Sequence, residues 1–338
     1  MQEIKISTFV IHFFITSTVS FAQLSWTFDV ESGIFINRNF GISEQAWGGN
    51  LNGNVKYRIK ADNRLALFNL RAKPELYDIG DKLMSVKLKA SAEYYQFGES
   101  ISWSLKINGN RFNYDLNERN YQSNSVFLIG ELSAKLFSED RTYFIGGYSN
   151  RSVDAGDEIT MDLVFADIMQ SKKFNPEINL DYGFYIEKYT AKSTVRTQFA
   201  INSSTKGLRY GPQISLSINS DFIIRTTYKF LIHESEEIVS FSPEHQVNFI
   251  LGKNIFNGFS LLAYLTYYSA SLNYDETSDM ERLYFQSDYE NIIYLKLSYD
   301  LSDKVELYLK PGYRKIELSH QSDIIEEWHL LLGLGVSM

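Results

Sequence analysis

Residues 328–338 read WHLLLGLGVSM, and the parity of this stretch decides the fold. Trp328, Leu330, Leu332, Leu334, Val336 and Met338 share one phase, while His329, Leu331, Gly333, Gly335 and Ser337 share the other. Side chains that change face at every residue belong to a β-strand, not to a helix. The run is also long. Strands of soluble sandwiches average ~5–6 residues, whereas a tilted strand needs ~9–11 to cross a bilayer.

The same pattern extends upstream. Val305, Leu307, Leu309, Pro311 and Tyr313 alternate with Glu306, Tyr308, Lys310, Gly312 and Arg314, and the turn Ser302-Asp303-Lys304 joins them to Ile293, Leu295, Leu297, Tyr299 and Leu301. Leu208, Tyr210, Ile214, Leu216 and Ile218 precede the turn Asn219-Ser220-Asp221, after which Phe222, Ile224, Thr226, Tyr228, Phe230 and Ile232 continue the alternation. Near the start, Met84, Val86, Leu88, Ala90 and Ala92 oppose Ser85, Lys87, Lys89, Ser91 and Glu93. Short polar turns recur at Asp62-Asn63-Arg64 and Ser138-Glu139-Asp140. Longer links are expected at Arg38 to Asn50, Asn113 to Gln122, His233 to Ser242, Asn273 to Tyr289 and Glu317 to Glu327. Because lipid tolerates no open sheet edge, such strands must close on themselves. The expected fold is all-β: a closed antiparallel transmembrane barrel of about sixteen strands, with fourteen as the alternative count. Short periplasmic turns lie at one end and longer extracellular loops at the other. A soluble periplasmic β-protein is the structural alternative, and it would need shorter strands with one face buried against itself.

Composition agrees. Aromatic residues make up 15% of the 338, with 23 Tyr and 24 Phe, and there are only 5 Pro. Cysteine is absent, which excludes disulfides, thiol catalysis and Cys-based zinc sites. The net charge of -8 disfavours nucleic acid as a partner. At the N-terminus, Lys5, the apolar stretch Phe9 to Phe21 and the small residues Ser20 and Ala22 form a secretory signal. Residues 1–22 are expected to be removed after Ala22, leaving 23–338 as one outer-membrane barrel.

The bilayer-length alternation, Tyr pairs such as Tyr94-Tyr95 and Tyr267-Tyr268 near segment ends, and an apolar residue closing the final strand resemble bacterial outer-membrane proteins of the porin-like class. That resemblance covers nearly the whole mature chain and rests on pattern, with no motif of a particular family. It implies cell outer membrane localisation, contact with outer-membrane lipid, and recognition of the C-terminal strand by the insertion machinery. The class usually ends on an aromatic residue, and this chain ends on Met338.

No catalytic motif is present. His233, His245, His320 and His329 lack metal-ligand spacing, and neither HExxH nor Gly-x-Ser-x-Gly occurs. His233 with Glu234, Ser235 and Glu236, or Ser319-His320 with Asp323, reads as polar loop at the barrel mouth. Acidic groups at Asp154, Asp157 and Glu158, at Glu234, Glu236 and Glu237, at Asp275, Glu276, Asp279 and Glu281, and at Asp323, Glu326 and Glu327 read as solvated loops. None has the spacing of a calcium loop, so neither metal nor cofactor is expected. The polar phase carries Lys87, Lys89, Glu93, Lys106, Arg196, Arg209, Arg225, Lys229, Lys296, Asp300, Glu306, Lys310 and Arg314, which are expected to line the lumen. Polar, charged walls suit passive or weakly selective passage of small polar solutes. Two other functions compete: a non-conducting barrel for surface assembly, secretion or adhesion, and an outer-membrane hydrolase. A non-enzyme is the expectation.

Overall fold

The computed structural model describes residues 21–39, 42–78, 83–116, 119–135, 140–154, 158–195, 201–236, 242–256, 258–270, 291–317 and 324–338. Sixteen strands account for nearly all of them, and no helix occurs among the described residues. They are β1 (Phe21–Asn39), β2 (Ile42–Ala61), β3 (Arg64–Asp78), β4 (Leu83–Gln96), β5 (Ile101–Leu116), β6 (Arg119–Ala134), β7 (Arg141–Asp154) and β8 (Glu158–Lys173), followed by β9 (Ile178–Val195), β10 (Ile201–Asn219), β11 (Phe222–Ser235), β12 (Ser242–Phe256), β13 (Phe259–Ala270), β14 (Asn291–Ser302), β15 (Val305–Glu317) and β16 (Ile324–Ser337). Each strand pairs antiparallel with its sequence neighbours, and β1 pairs with β16 to close the ring. Sixteen strands is the expected count, and an even number leaves the start of β1 and the end of β16 at the same end of the barrel.

Contacts between strands that are not neighbours identify the inside. Arg314 on β15 reaches Glu75 on β3, and Glu31 on β1 meets Tyr308 and Lys310 on β15. Side chains converge only on the concave face of a curved sheet, so this parity is inward. The opposite parity is apolar and stays uncovered: Val164, Ile168 and Leu332 are 59%, 54% and 57% exposed. Along β16 the outward residues are Val336, Leu334, Leu332, Leu330 and Trp328, and then Glu326. Along β15 they are Leu307, Leu309, Pro311 and Tyr313, and then Lys315. On β9 Tyr182, Phe184 and Ile186 give way to Lys188. The apolar exterior therefore forms a band of about nine to eleven residues per strand, the length that crosses a hydrocarbon layer. Aromatic pairs mark its margins: Tyr94–Trp103 and Phe259–Tyr299 near the turn end, and Tyr313–Trp328 near the other, with ring centroids 5.3, 4.6 and 4.8 Å apart.

The tight turns after β2, β10 and β14 lie at one end, as their sequences indicate. Asp62 holds φ of 35° in the first of them, a left-handed conformation that Asp tolerates and that two-residue hairpins require. At the other end the structure corrects the expected links. Of Arg38 to Asn50, residues 38–39 and 42–50 are strand, and of Asn113 to Gln122, residues 113–116 and 119–122 are strand; 40–41 and 117–118 lie outside the described residues. These strands run on beyond the apolar band, because continued pairing keeps satisfying backbone N–H and C=O groups above the membrane. Within the expected link His233 to Ser242, β11 continues to Ser235 and β12 begins at Ser242, and within Glu317 to Glu327 β16 begins at Ile324; 237–241 and 318–323 lie outside the described residues. Asn273 to Tyr289 lies outside the described residues, as do 1–20. β1 begins at Phe21, two residues before Gln23, with Phe21 and Ala22 opposite Lys60 and Ile59.

Candidate functional site: the charged interior

Two dense polar networks fill parts of the inner face, the first level with the upper margin of the apolar band and the second running from that margin down to Glu306 near the turn end. The first spans β8 to β12. Arg209 on β10 is 1% exposed and donates to two carboxylates. Its NH1 lies 2.6 Å from Glu187 Oε1, its Nε 3.1 and 3.0 Å from the two oxygens of Glu244, and its NH2 also bonds Glu244. His233 lies beside this unit, with Nδ1 2.9 Å from Glu244 Oε1 and Nε2 2.6 Å from the Tyr189 hydroxyl. Below it Gln213 donates to Asp167, and the Lys229 ammonium lies 4.1 Å from the Tyr185 ring centroid.

Tyr189 can reach His233 because its register partner on β10 is Gly207. A β-carbon at Gly207 would run into the Tyr189 ring, so the glycine makes room for the aromatic side chain lying flat across it. Gly333 serves Tyr308 in the same way in the second network.

That second network spans β14, β15, β16 and β1 to β4. Arg314 places NH2 2.8 Å from Glu327 Oε2 and NH1 3.2 Å from Glu75 Oε2. Glu75 also holds Lys73 at 2.5 Å and accepts from the Ser85 hydroxyl at 2.9 Å. Glu31 gathers Lys310, the Tyr308 hydroxyl at 2.9 Å and Asn50 Nδ2 at 2.7 Å. Lys296 lies 2.5 Å from Glu306 and 3.9 Å from the Tyr308 ring centroid. Deeply buried charges persist only when paired, and Glu31, Glu75, Arg314 and Glu327 each have a partner of opposite charge.

The remaining polar-phase residues are more open. Glu93 and Lys106 form a 2.9 Å pair backed by the Tyr95 hydroxyl at 2.5 Å. Lys87 lies 5.0 Å from the Phe112 ring centroid. Lys89 and Arg225 are exposed on the inner face, and Asp300 borders a cavity of about 210 Å³ at the turn end with Asp29, Asp303 and Glu306. Arg196 lies outside the described residues.

Three sequence expectations are corrected. His233 is strand, not loop, and fully buried. Glu327 is not a solvated loop acid; it is 2% exposed and bound to Arg314. Glu234 is on β11, where it accepts from the Tyr210 hydroxyl at 2.8 Å. In each case the strand extends further than the hydrophobic run announces, because above the membrane its outward face turns polar. Sequence reading also missed Lys56, Arg58, Arg71 and Lys73. The signal was present: Asn52, Asn54, Lys56, Arg58 and Lys60 alternate strictly with the outward Val55 and Tyr57.

A closed antiparallel barrel with a bilayer-height apolar exterior and a charged interior defines the class of outer-membrane-type transmembrane β-barrels. No family model and no curated protein matches the chain. Solved barrels share its plan at low identity. The "TodX monoaromatic hydrocarbon channel deltaS2 mutant" is 8% identical, covering 94% of this chain and 89% of that one, with a TM-score of 0.41. CdiB from Acinetobacter baumannii is 10% identical over 95% of this chain and 66% of that one, with a TM-score of 0.47. OccAB1 from Acinetobacter baumannii is 8% identical over 93% and 97%, with a TM-score of 0.42. These likenesses are of the barrel plan; the functional reading rests on this chain's own residues.

Proposed function

We propose that the chain is exported by a signal peptide cleaved after Ala22, inserts into the outer membrane, and conducts small polar solutes through its lumen as a non-enzymatic channel. The observation that carries this reading is the part of the inner face that the buried networks leave open. There Lys56, Arg58, Arg71, Lys89 and Arg225 are exposed to the lumen. Exposed charge inside a membrane-height barrel requires water around it, and a hydrated bore with charged walls passes polar solutes. The buried networks narrow that bore and select by size. Outer-membrane lipid contacts the apolar band, and the insertion machinery reads β16.

The Arg314–Glu75 contact, which bridges β15 and β3 over the inner face, favours a second reading, a barrel closed by its own side chains and serving surface assembly or secretion. Planar bilayers separate the two. Folded Gln23–Met338 should give stable ohmic steps. Silence from protein whose folding is shown by heat-modifiable gel mobility would overturn the channel.

A further inference from the structure

Arg71 on β3 stands directly opposite Lys89 on β4, and Lys73 directly opposite Lys87. Both pairs share the inward parity of Glu75 and Ser85. Like charges directly opposed in a sheet repel and destabilise it, so two successive rungs of this kind need a reason.

The upper rung has one within the protein. Lys73 is held 2.5 Å from Glu75, and Lys87 lies against the Phe112 ring. Among the described residues the lower rung has none. Arg71 Nε donates to the neutral Asn52 Oδ1 at 2.7 Å, and Lys89 is exposed. Lys56, opposite Asn69 on the same inner face, adds a third exposed cation one strand away. The acids nearby are engaged. Glu75 takes Lys73 and Arg314, and Glu93 takes Lys106. Asp29 is reached only through Asn52, whose Nδ2 donates to it at 2.8 Å. That relay fixes the exposed Arg71 side chain by its Nε, and its two terminal nitrogens make no hydrogen bond to the described residues. A guanidinium fork beside an ammonium at cross-strand spacing matches a tetrahedral oxyanion, with one oxygen edge for Arg71 and a further oxygen for Lys89.

We propose that the Arg71–Lys89 rung, completed by Lys56, binds a doubly charged oxyanion of the phosphate type, either free phosphate or the phosphate group of a small solute. The site deepens the channel reading by naming a class of solute, and its occupancy is measurable without current. A bound dianion removes the repulsion between the opposed cations, which is why the fold can carry them.

The test is calorimetric titration of folded Gln23–Met338 in detergent micelles with inorganic phosphate and with glycerol 3-phosphate, at constant chloride. Both ligands should bind. Tighter inorganic phosphate identifies the free ion as the occupant, and a tighter monoester identifies a phosphorylated solute. The Arg71→Gln/Lys89→Gln variant should bind at least 10-fold more weakly, while Lys192→Gln, on the outer face, should bind as the parent does. In phosphate-free buffer the double variant should also unfold at a higher temperature, because opposed charges are gone. Lys89→Gln alone gives the same rise if the double variant does not refold, since it breaks no hydrogen bond. Undiminished binding in Arg71→Gln/Lys89→Gln, no binding to the parent, or a lower unfolding temperature for Lys89→Gln would overturn the proposal. A protein silent in bilayers that still binds phosphate through Arg71 and Lys89 would remove the channel and keep the site.

Discussion

Replacing Arg209 by Met tests whether the interior network holds the upper barrel together. The substitution keeps an unbranched side chain of comparable reach and removes the positive charge. Glu187 and Glu244, 4% and 0% exposed, then lose the cation they share. A surface pair broken this way would cost ~0–1 kcal/mol, because water replaces the partner. Here water has little access, and breaking a buried pair costs about 3–5 kcal/mol. The low exposure of all three groups places Arg209→Met in this buried range, at about 4 kcal/mol. Unfolding in guanidinium, followed by Trp fluorescence in lipid vesicles, measures it. Arg209→Met/Glu187→Gln/Glu244→Gln removes the whole charged unit, and should recover most of that loss, since exchanging a complete buried ion set for neutral groups is often near neutral. A loss below about 1 kcal/mol for Arg209→Met would refute the reasoning, because it would mean that the network is hydrated.

The band makes its own prediction: Leu332→Arg, mid-band and outward, should cost about 2–4 kcal/mol in vesicle unfolding, while Asn248→Arg on the exposed inner face should cost little. Gly207→Val should push the Tyr189 ring off His233 and destabilise by about 1–3 kcal/mol, read by thermal unfolding in detergent, with Tyr189→Ala/Gly207→Val less affected by the clash.

Much of the barrel was legible because lipid leaves a plain record. Wherever the outward residues are uniformly apolar, as in β10, β14, β15 and β16, period two shows the strand and its facing at once. It blurs in β7 to β9. There Met161, Leu163, Tyr189 and Ala191 form an apolar cluster on the inner face, packed with Phe165 and Tyr268, while outward Asp162 accepts from the Tyr148 hydroxyl at 2.5 Å and Asn150 at 2.9 Å. Alternation persists but its polarity inverts above the band, so a rule equating apolar with outward misreads those residues. The polar phase showed most of the interior cations and the acids Glu93, Asp300 and Glu306, but not the acids at the centre of the two networks. Arg209, Lys310 and Arg314 announce themselves by phase; Glu187, directly opposite Arg209 on β9, needs the register to be found, and Glu244, Glu31 and Glu75 come from strands that are not neighbours, which parity cannot identify.

The seam between β1 and β16 has a kinetic consequence. Thr27 pairs with Ser337, and Trp26 and Met338 exchange both backbone bonds at 2.8 and 2.9 Å. The contact that completes the ring therefore joins segments separated by fourteen other strands. Loop-closure entropy falls on this one step, and nothing local can nucleate it. Until it forms, β1 and β16 each present an unpaired edge, the feature that recruits foreign strands and drives aggregation. The chain must consequently be kept apart from its own copies during transit, and slow folding is built into the topology rather than into any one residue.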